Sequence, residues 1–174
     1  MKKYGLKLIQ HLPEESTKFL ISLCTDYKSR SKPLVDEASL TGGYREPDRA
    51  CPDDYIHMFL SNSEQLIDFL EHMTKADLQC SKLVYNALIE HYIHVWAKSP
   101  ADKKAEYEEK IMKVLHDPTA NYDKDQTLVI CQMLGFRSGI LYLYEENKLW
   151  RAQVALHMRA GMAESALDVC RRRG

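Results

Sequence analysis

Short helical segments joined by tight turns fill the sequence from Asp123 to its end. Apolar residues recur in these segments at three- and four-residue spacing, which is typical of amphipathic helices. Gly135 and Gly161 suit the left-handed conformation that ends many helices, and they lie 26 residues apart. Helices joined by so few residues run antiparallel to their neighbours. The pattern therefore predicts consecutive helical hairpins.

The last two hairpins also resemble one another at this 26-residue offset. Apolar residues coincide at four pairs of positions: Leu128 with Val154, Ile130 with Leu156, Leu141 with Leu167, and Leu143 with Val169. Repeated hairpins bury one face on the preceding pair and one on the following pair. We find no segment with the alternating pattern of a strand. The predicted fold class is all-α, an α-solenoid of stacked antiparallel helical hairpins.

Helical periodicity also marks the first two-thirds of the chain. Pro13 suits the first turn of a helix, and one buried stripe is predicted at Phe19, Leu20, Leu23, Cys24 and Tyr27. Ser61 or Asn62 is predicted to cap one helix, where Ser61 and Glu64 have capping-box spacing, and Ser99 before Pro100 is predicted to cap another. Further helices are predicted at 3–11, 53–60, 81–96 and 100–115.

Residues 28–52 break this pattern. The stretch is rich in polar residues, glycine and proline, and shows no helical period. Structureless loops of this length are uncommon in compact domains. We predict a flexible insertion within a solenoid segment at 1–174. It is either a tolerated surface loop or the carrier of a regulatory site at Ser29, Ser31 or Ser39.

Charge and cysteine usage narrow the class of protein. Lys and Arg total 24 against 25 Asp and Glu, so we do not expect a general nucleic-acid binder, which needs a clustered positive surface. Five dispersed cysteines favour free thiols in a reducing compartment. The longest apolar runs are far shorter than the roughly 20 residues that cross a bilayer. We expect an intracellular chain without a signal peptide or membrane span.

No motif indicates catalysis. Glu90, His91 and His94 are the best candidates for metal ligands, but their order and spacing differ from those of a zinc protease. His72 and His157 are interpreted as packing residues. The acidic pairs Asp53–Asp54 and Glu108–Glu109 are interpreted as exposed helix ends, and no phosphate-binding loop occurs. We predict no catalytic residue, no cofactor and no metal.

Two further groups allow two interpretations each. The sequence Arg171–Arg173 is either a basic patch or a cationic helix end that suits the helix dipole. Tyr142, Tyr144, Trp150 and Met158 either line a groove for a partner or form the core between repeats.

Several short segments of the sequence resemble those of one known family. They include Tyr4-Gly5, Leu23 to Tyr27, Phe69 to Met73, Leu128-Val129, Cys131 to Met133, Leu141 to Glu145, His157-Met158 and Val169-Cys170. In collinear order, these are similar to the solenoid of the vacuolar protein sorting-associated protein 11 family. The resemblance covers nearly the whole chain and fails only at 28–52.

The resemblance implies a function as well as a fold. Members of the family are core subunits of the HOPS and CORVET membrane-tethering complexes, with a β-propeller before a solenoid of clathrin-heavy-chain-type repeats and a RING zinc module after it. This chain would be solenoid alone, so RING-dependent activity does not carry over. The implied partners are the class C core and other tethering subunits, with small GTPases and SNAREs acting indirectly. The implied place is cytoplasmic, peripheral on late endosomes, lysosomes or vacuoles.

Two other hypotheses stay open from the sequence. The first is a helical-repeat interaction module of a coat or cargo-adaptor complex. The second is a small metal-dependent enzyme.

Overall fold

The computed structural model describes residues 4–25, 50–59, 62–76 and 80–173. These residues contain helices, turns and irregular segments and no β-strand, which confirms the all-α prediction. The helices are α1 (Gly5–His11), α2 (Pro13–Thr25), α3 (Asp53–Ile56), a 3₁₀ turn (His57–Phe59), α4 (Ser63–Lys75), α5 (Lys82–Lys98), α6 (Ala101–His116), α7 (Lys124–Leu134), α8 (Arg137–Glu146), α9 (Trp150–Arg159) and α10 (Ala163–Arg173). Two compact units, Met1–Leu88 and Ile89–Gly174, divide within α5. None of the described helices is both long enough and apolar enough to span a membrane.

In the first unit α2 packs on α4, and α1 packs on both α2 and the 3₁₀ turn. Pro13 begins α2 and two glutamates follow in its first turn, where a proline loses no hydrogen bond and acidic side chains suit the helix dipole. A long-range hydrogen bond joins Asn62 Nδ2 to the carbonyl of Ile9 at 2.9 Å. This bond ties the start of α4 to α1.

The buried face of α2 differs from the predicted stripe. Phe19 is 50% exposed, whereas Leu20 and Cys24 are buried together with Ser16 and Thr17. Periodicity could not choose this face because two of its four residues are hydroxylic. Thr17 Oγ1 donates to the Pro13 carbonyl at 2.7 Å, so its polar atom is satisfied inside the helix. Tyr27 lies outside the described residues.

One predicted helix cap is wrong. Ser99 Oγ donates to the Val95 carbonyl at 2.7 Å and so closes the end of α5. Pro100 occupies the position before α6, which begins at Ala101. Of the two residues predicted to cap the next helix, Ser61 lies outside the described residues. Asn62 occupies the N-cap position of α4, but its side chain makes no capping hydrogen bond.

The second unit is built from consecutive helix pairs. α7 packs on α8, α8 on α9, α9 on α10, and α6 also packs on α8. Three positions are buried at both members of a 26-residue match: Cys131 with His157, Ile140 with Ala166, and Leu143 with Val169. The predicted match of Leu141 with Leu167 is not a core pair, because Leu167 is 54% exposed.

The three corners between α7 and α10 share one geometry. Gly135, Lys148 and Gly161 have positive φ values of 72°, 56° and 70°. At each corner the next residue donates its backbone N–H to the carbonyl five residues earlier: Phe136 to Cys131 at 2.9 Å, Leu149 to Tyr144 at 2.7 Å, and Met162 to His157 at 2.9 Å. This is the Schellman arrangement of a helix end. The corners recur every 13 residues, half of the predicted hairpin offset.

The predicted insertion at 28–52 falls almost wholly outside the described residues. Only its last three positions are described, where Cys51 and Pro52 lead directly into α3. The flexible insertion therefore stays a prediction.

Candidate interaction site

The histidine cluster of α5 shows the geometry of a helix surface. His94 Nε2 lies 4.0 Å from Glu90 Oε1, and both side chains are nearly half exposed. Burial lowers the pKa of His91. Among the described residues, no group of three or more His, Cys, Asp or Glu is arranged to hold a metal ion. Glu90, His91 and His94 therefore do not form such a group within the described part of the chain.

The two isolated histidines have different environments. His157 is 7% exposed and lies in the core of the second unit, which confirms its interpretation as a packing residue. His72 is exposed, and its Nδ1 lies 2.8 Å from the Asp68 carbonyl and 3.3 Å from Asp68 Oδ1. Its interpretation as a packing residue is wrong, since the ring serves the surface of α4.

The two acidic pairs occupy different positions in their helices. Asp53 and Asp54 lie in the first turn of α3, and Asp53 accepts a hydrogen bond from Ser81 Oγ at 2.6 Å. Glu108 and Glu109 lie in the middle of α6, so their placement at a helix end is wrong. Glu108 accepts a hydrogen bond from Ser138 on α8. It thus links two helices that pack against each other.

The four residues predicted to line a groove or to form core do not share one surface. Tyr142 reaches the end of α6, and Tyr144 accepts a hydrogen bond from Gln132 Nε2 of α7 at 2.9 Å. Met158 is 60% exposed on α9. Trp150 lines a small cleft with residues of α8 and α10. The residues therefore divide between helix contacts and separate surface positions.

A pair of tyrosines at the end of α6 was missed by sequence reasoning. The hydroxyls of Tyr122 and Tyr142 both donate to the Leu115 carbonyl, each at 3.0 Å. The His116 ring lies 4.3 Å from the Tyr142 ring, centroid to centroid. Burial raises the pKa of Tyr122, so this hydroxyl is held as a donor. The two hydroxyls satisfy a carbonyl that α6 itself leaves unpaired at its end.

An aromatic contact joins α5 to Phe136, the residue before α8. The Trp96 and Phe136 rings meet edge to face with centroids 4.9 Å apart, which is a favoured geometry for aromatic pairs. Lys104 Nζ lies 4.9 Å from the centre of the Trp96 ring. Gly139 makes room for Phe136, because a Cβ atom there would lie 2.5 Å from its ring. Phe136 therefore follows the first corner and fills the space that Gly139 leaves.

The buried thiols are poor nucleophiles. Burial raises the pKa of Cys24 to about 11, with a smaller contribution from nearby Cys51. Burial raises the pKa of Cys131 to about 12. The thiolate is the reactive form of cysteine, and it is scarce at neutral pH for both residues.

Arg171–Arg173 lie in the last turn of α10. Arg171 Nη1 lies 3.7 Å from Asp168 Oδ1, and Arg172 Nε donates to the Asp168 carbonyl at 3.4 Å. Cations at a helix C-terminus interact favourably with its dipole. This local geometry favours the helix-end interpretation over a separate basic patch.

Tight helical corners, buried positions that repeat between hairpins and cross-helix hydrogen bonds define an α-solenoid of hairpin repeats. The chain matches the model of the PEP5/VPS11 Clathrin repeat family over residues 1–174, and it belongs to that family. This match confirms the family resemblance noted in the sequence.

Named relatives agree with the family. The chain is 34% identical over 176 residues to a mouse protein (Mus musculus) called vacuolar protein sorting-associated protein 11 homolog, and 33% identical to the human homolog. A homolog from Dictyostelium discoideum is 25% identical over 216 residues. Each alignment covers 100% of this chain but only 18% of the mouse and human proteins and 22% of the third. No solved structure matches the chain.

Proposed function

We propose that this chain is a non-catalytic scaffold segment that acts in vacuolar or lysosomal protein sorting. The observation that carries the proposal is the family match over the whole chain, together with relatives named for vacuolar protein sorting. A solenoid in which each helix pair contacts its neighbours is suited to hold partners at fixed spacing. Because the chain spans under a quarter of those relatives, the role belongs to a segment of a longer protein.

The finer proposal is membership of a tethering complex of the HOPS or CORVET type. The chain would contact class C core subunits and other tethering subunits, and small GTPases and SNAREs would act through those subunits. It would lie on the cytoplasmic face of late endosomes, lysosomes or vacuoles, and reach the membrane only through partners. The polar groups of the second unit support a scaffold, because those of α6, α7 and α8 bond neighbouring helices.

A cell-based rescue tests the sorting role. Loss of the protein should cause secretion of precursor hydrolases that normally reach the vacuole or lysosome, and the wild-type protein should restore their delivery. A Glu90→Gln/His94→Asn variant alters two of the best candidates for metal ligands, whose side chains are nearly half exposed. We expect it to rescue fully. Hydrolase delivery that is normal without the protein would contradict the sorting role, and failed rescue by a folded variant would favour an enzyme.

Affinity capture distinguishes the tethering function from a second candidate function, that of a coat or cargo-adaptor module. The description of the family as a clathrin repeat favours this second function. When the protein is captured from cells at its natural abundance, class C core subunits should be recovered with it in a constant ratio. Recovery of coat subunits without any tethering subunit would replace the proposal with that second function.

A further inference from the structure

A methionine joins two helical corners of the second unit. Arg137, the first residue of α8, donates from Nη2 to the Sδ atom of Met162 at 2.8 Å. Met162 follows Gly161 at the corner between α9 and α10, and its own N–H donates to the His157 carbonyl. Arg137 lies just after the corner at Gly135. The contact therefore connects the corner of one hairpin to the corner of the next.

The repeat makes Met162 unusual for its position. It lies 26 residues after Phe136, which occupies the same place in the preceding hairpin. Phe136 is fully buried and packs on Trp96 of α5. Met162 is 44% exposed and meets the guanidinium of Arg137 instead. This position thus combines a charged donor with access to solvent, where the neighbouring repeat has a core residue.

Oxidation would change the strength of this contact. The thioether sulfur of methionine is a weak hydrogen-bond acceptor. A hydroperoxide converts it to a sulfoxide, which is polar and carries a new oxygen. In this step the O–O bond breaks and the S=O bond forms, so that sulfur loses two electrons and the hydroperoxide leaves as water or an alcohol. Hydrogen bonds from a charged donor to oxygen are strong, so the sulfoxide would hold Arg137 more firmly than the thioether does.

The surroundings of Met162 can accept the added oxygen. Arg137 is exposed and forms no ion pair with the described residues, so its guanidinium can withdraw by the length of the new bond. Met162 reaches solvent, which gives a hydroperoxide access to the side chain. Oxidation of a core methionine is disruptive because it places a polar group among apolar ones. At Met162 the new polar group instead meets a cation.

We propose that Met162 is an oxidation site, where the sulfoxide oxygen replaces sulfur as the acceptor of Arg137 and strengthens the link between the two corners. Oxidation at this site tightens the contact between consecutive hairpins. Met133 and Met158 are more exposed, but among the described residues no side chain donates to their sulfur atoms. Their oxidation leaves the corners unchanged. The inference goes beyond the scaffold role and requires no partner.

The first test measures whether the site is oxidised in the folded protein. The protein is treated with hydrogen peroxide, digested with trypsin and analysed by mass spectrometry. Cleavage after Arg159 places Met158 and Met162 on separate peptides, and fragment ions distinguish Met162 from Cys170. Under conditions that oxidise Met158, Met162 should also become a sulfoxide. If Met162 stays reduced while Met158 is fully oxidised, the proposal is wrong.

The second test measures the effect of oxidation on the corner by amide hydrogen exchange. In a Met158→Leu variant, peptides with oxidised and reduced Met162 differ by one oxygen and can be followed in the same sample. Oxidation should slow exchange of the amides at 161–163 by about threefold or more, since the stronger bond must break before the corner opens. The matched control is Met162→Leu, in which oxidation of Met158 should not slow exchange there.

Variants of Arg137 identify the donor. Arg137→Leu removes the donor, so oxidation of Met162 should no longer slow exchange at the corner. Arg137→Lys keeps a cationic donor and should retain part of the effect. Circular dichroism checks that each variant is folded. Exchange that is slowed equally in Arg137→Leu and in the wild-type residue, or that becomes faster on oxidation when Arg137 is present, would refute the proposal.

Discussion

Lys148 holds a backbone conformation that its two counterparts give to glycine. Its φ of 56° resembles the 72° of Gly135 and the 70° of Gly161. An L residue in the left-handed region costs roughly 1–2 kcal/mol. Glycine avoids this cost but loses about 0.5–1 kcal/mol more conformational entropy on folding. The difference predicts that Lys148→Gly stabilises the chain by about 0.5–1 kcal/mol.

The side chain of Lys148 does not complicate this estimate. It is exposed and makes no hydrogen bond or ion pair with the described residues. Removing it therefore tests backbone conformation alone. Urea unfolding followed by far-UV circular dichroism measures the change in the free energy of unfolding. In thermal melts of a chain this size, the Tm should shift by about 2–4 °C per kcal/mol.

The reverse substitutions provide matched controls. A Cβ at Gly135 or Gly161 would meet no atom within 4 Å, so Gly135→Ala and Gly161→Ala should each destabilise by about 0.5–1 kcal/mol for conformational reasons only. Gly139→Ala is the steric contrast, because its Cβ would lie 2.5 Å from Phe136 and 2.9 Å from Cys131 Sγ. Overpacking of this kind costs about 1–3 kcal/mol. If Lys148→Gly lowers stability, or if Gly135→Ala has no effect, the strain argument is wrong.

The remaining predictions concern buried hydroxyls and thiols. Tyr122→Phe and Tyr142→Phe should each cost about 1 kcal/mol in urea unfolding, and the double variant should cost more than their sum because the Leu115 carbonyl then loses both donors; strict additivity would show that solvent replaces the tyrosines. The folded pKa values of Cys24 and Cys131 are raised above the ordinary 9.0 to about 11 and about 12, so the stability they contribute is complete below pH 9 and is lost as pH rises toward those values. Stability measured from pH 8 to 11 should fall less in the Cys24→Ala/Cys131→Ala variant than in the wild type, and equal slopes would contradict the burial of these thiols.

The sequence could predict helices and two of the three corners. Gly135 and Gly161 indicate helix ends because glycine is the usual residue in the left-handed position that follows a helix. Lys148 carries no such signal, since nothing in a lysine indicates positive φ. The sequence therefore indicates the 26-residue spacing of hairpins but not the 13-residue spacing of single helices. The three corners show that the chain turns every 13 residues in this region, whereas its buried positions recur every 26.

Core positions were harder to predict than helices. Apolar periodicity selected Phe19 and Leu167, which are half exposed, and passed over Ser16 and Thr17, which are buried. A hydroxyl that bonds its own helix can be buried at little cost, and the pattern of apolar residues does not record such bonds. The error lies in which side of a helix faces inward.

Sites that depend on distant residues had no signal in sequence. Tyr122 and Tyr142 meet at one carbonyl because α8 packs on α6, and no motif links these two residues, which lie 20 positions apart. Ser138 and Glu108 likewise form a hydrogen bond between α8 and α6 although they lie 30 residues apart. In each case the spacing along the chain is set by turns and the contact is set by packing.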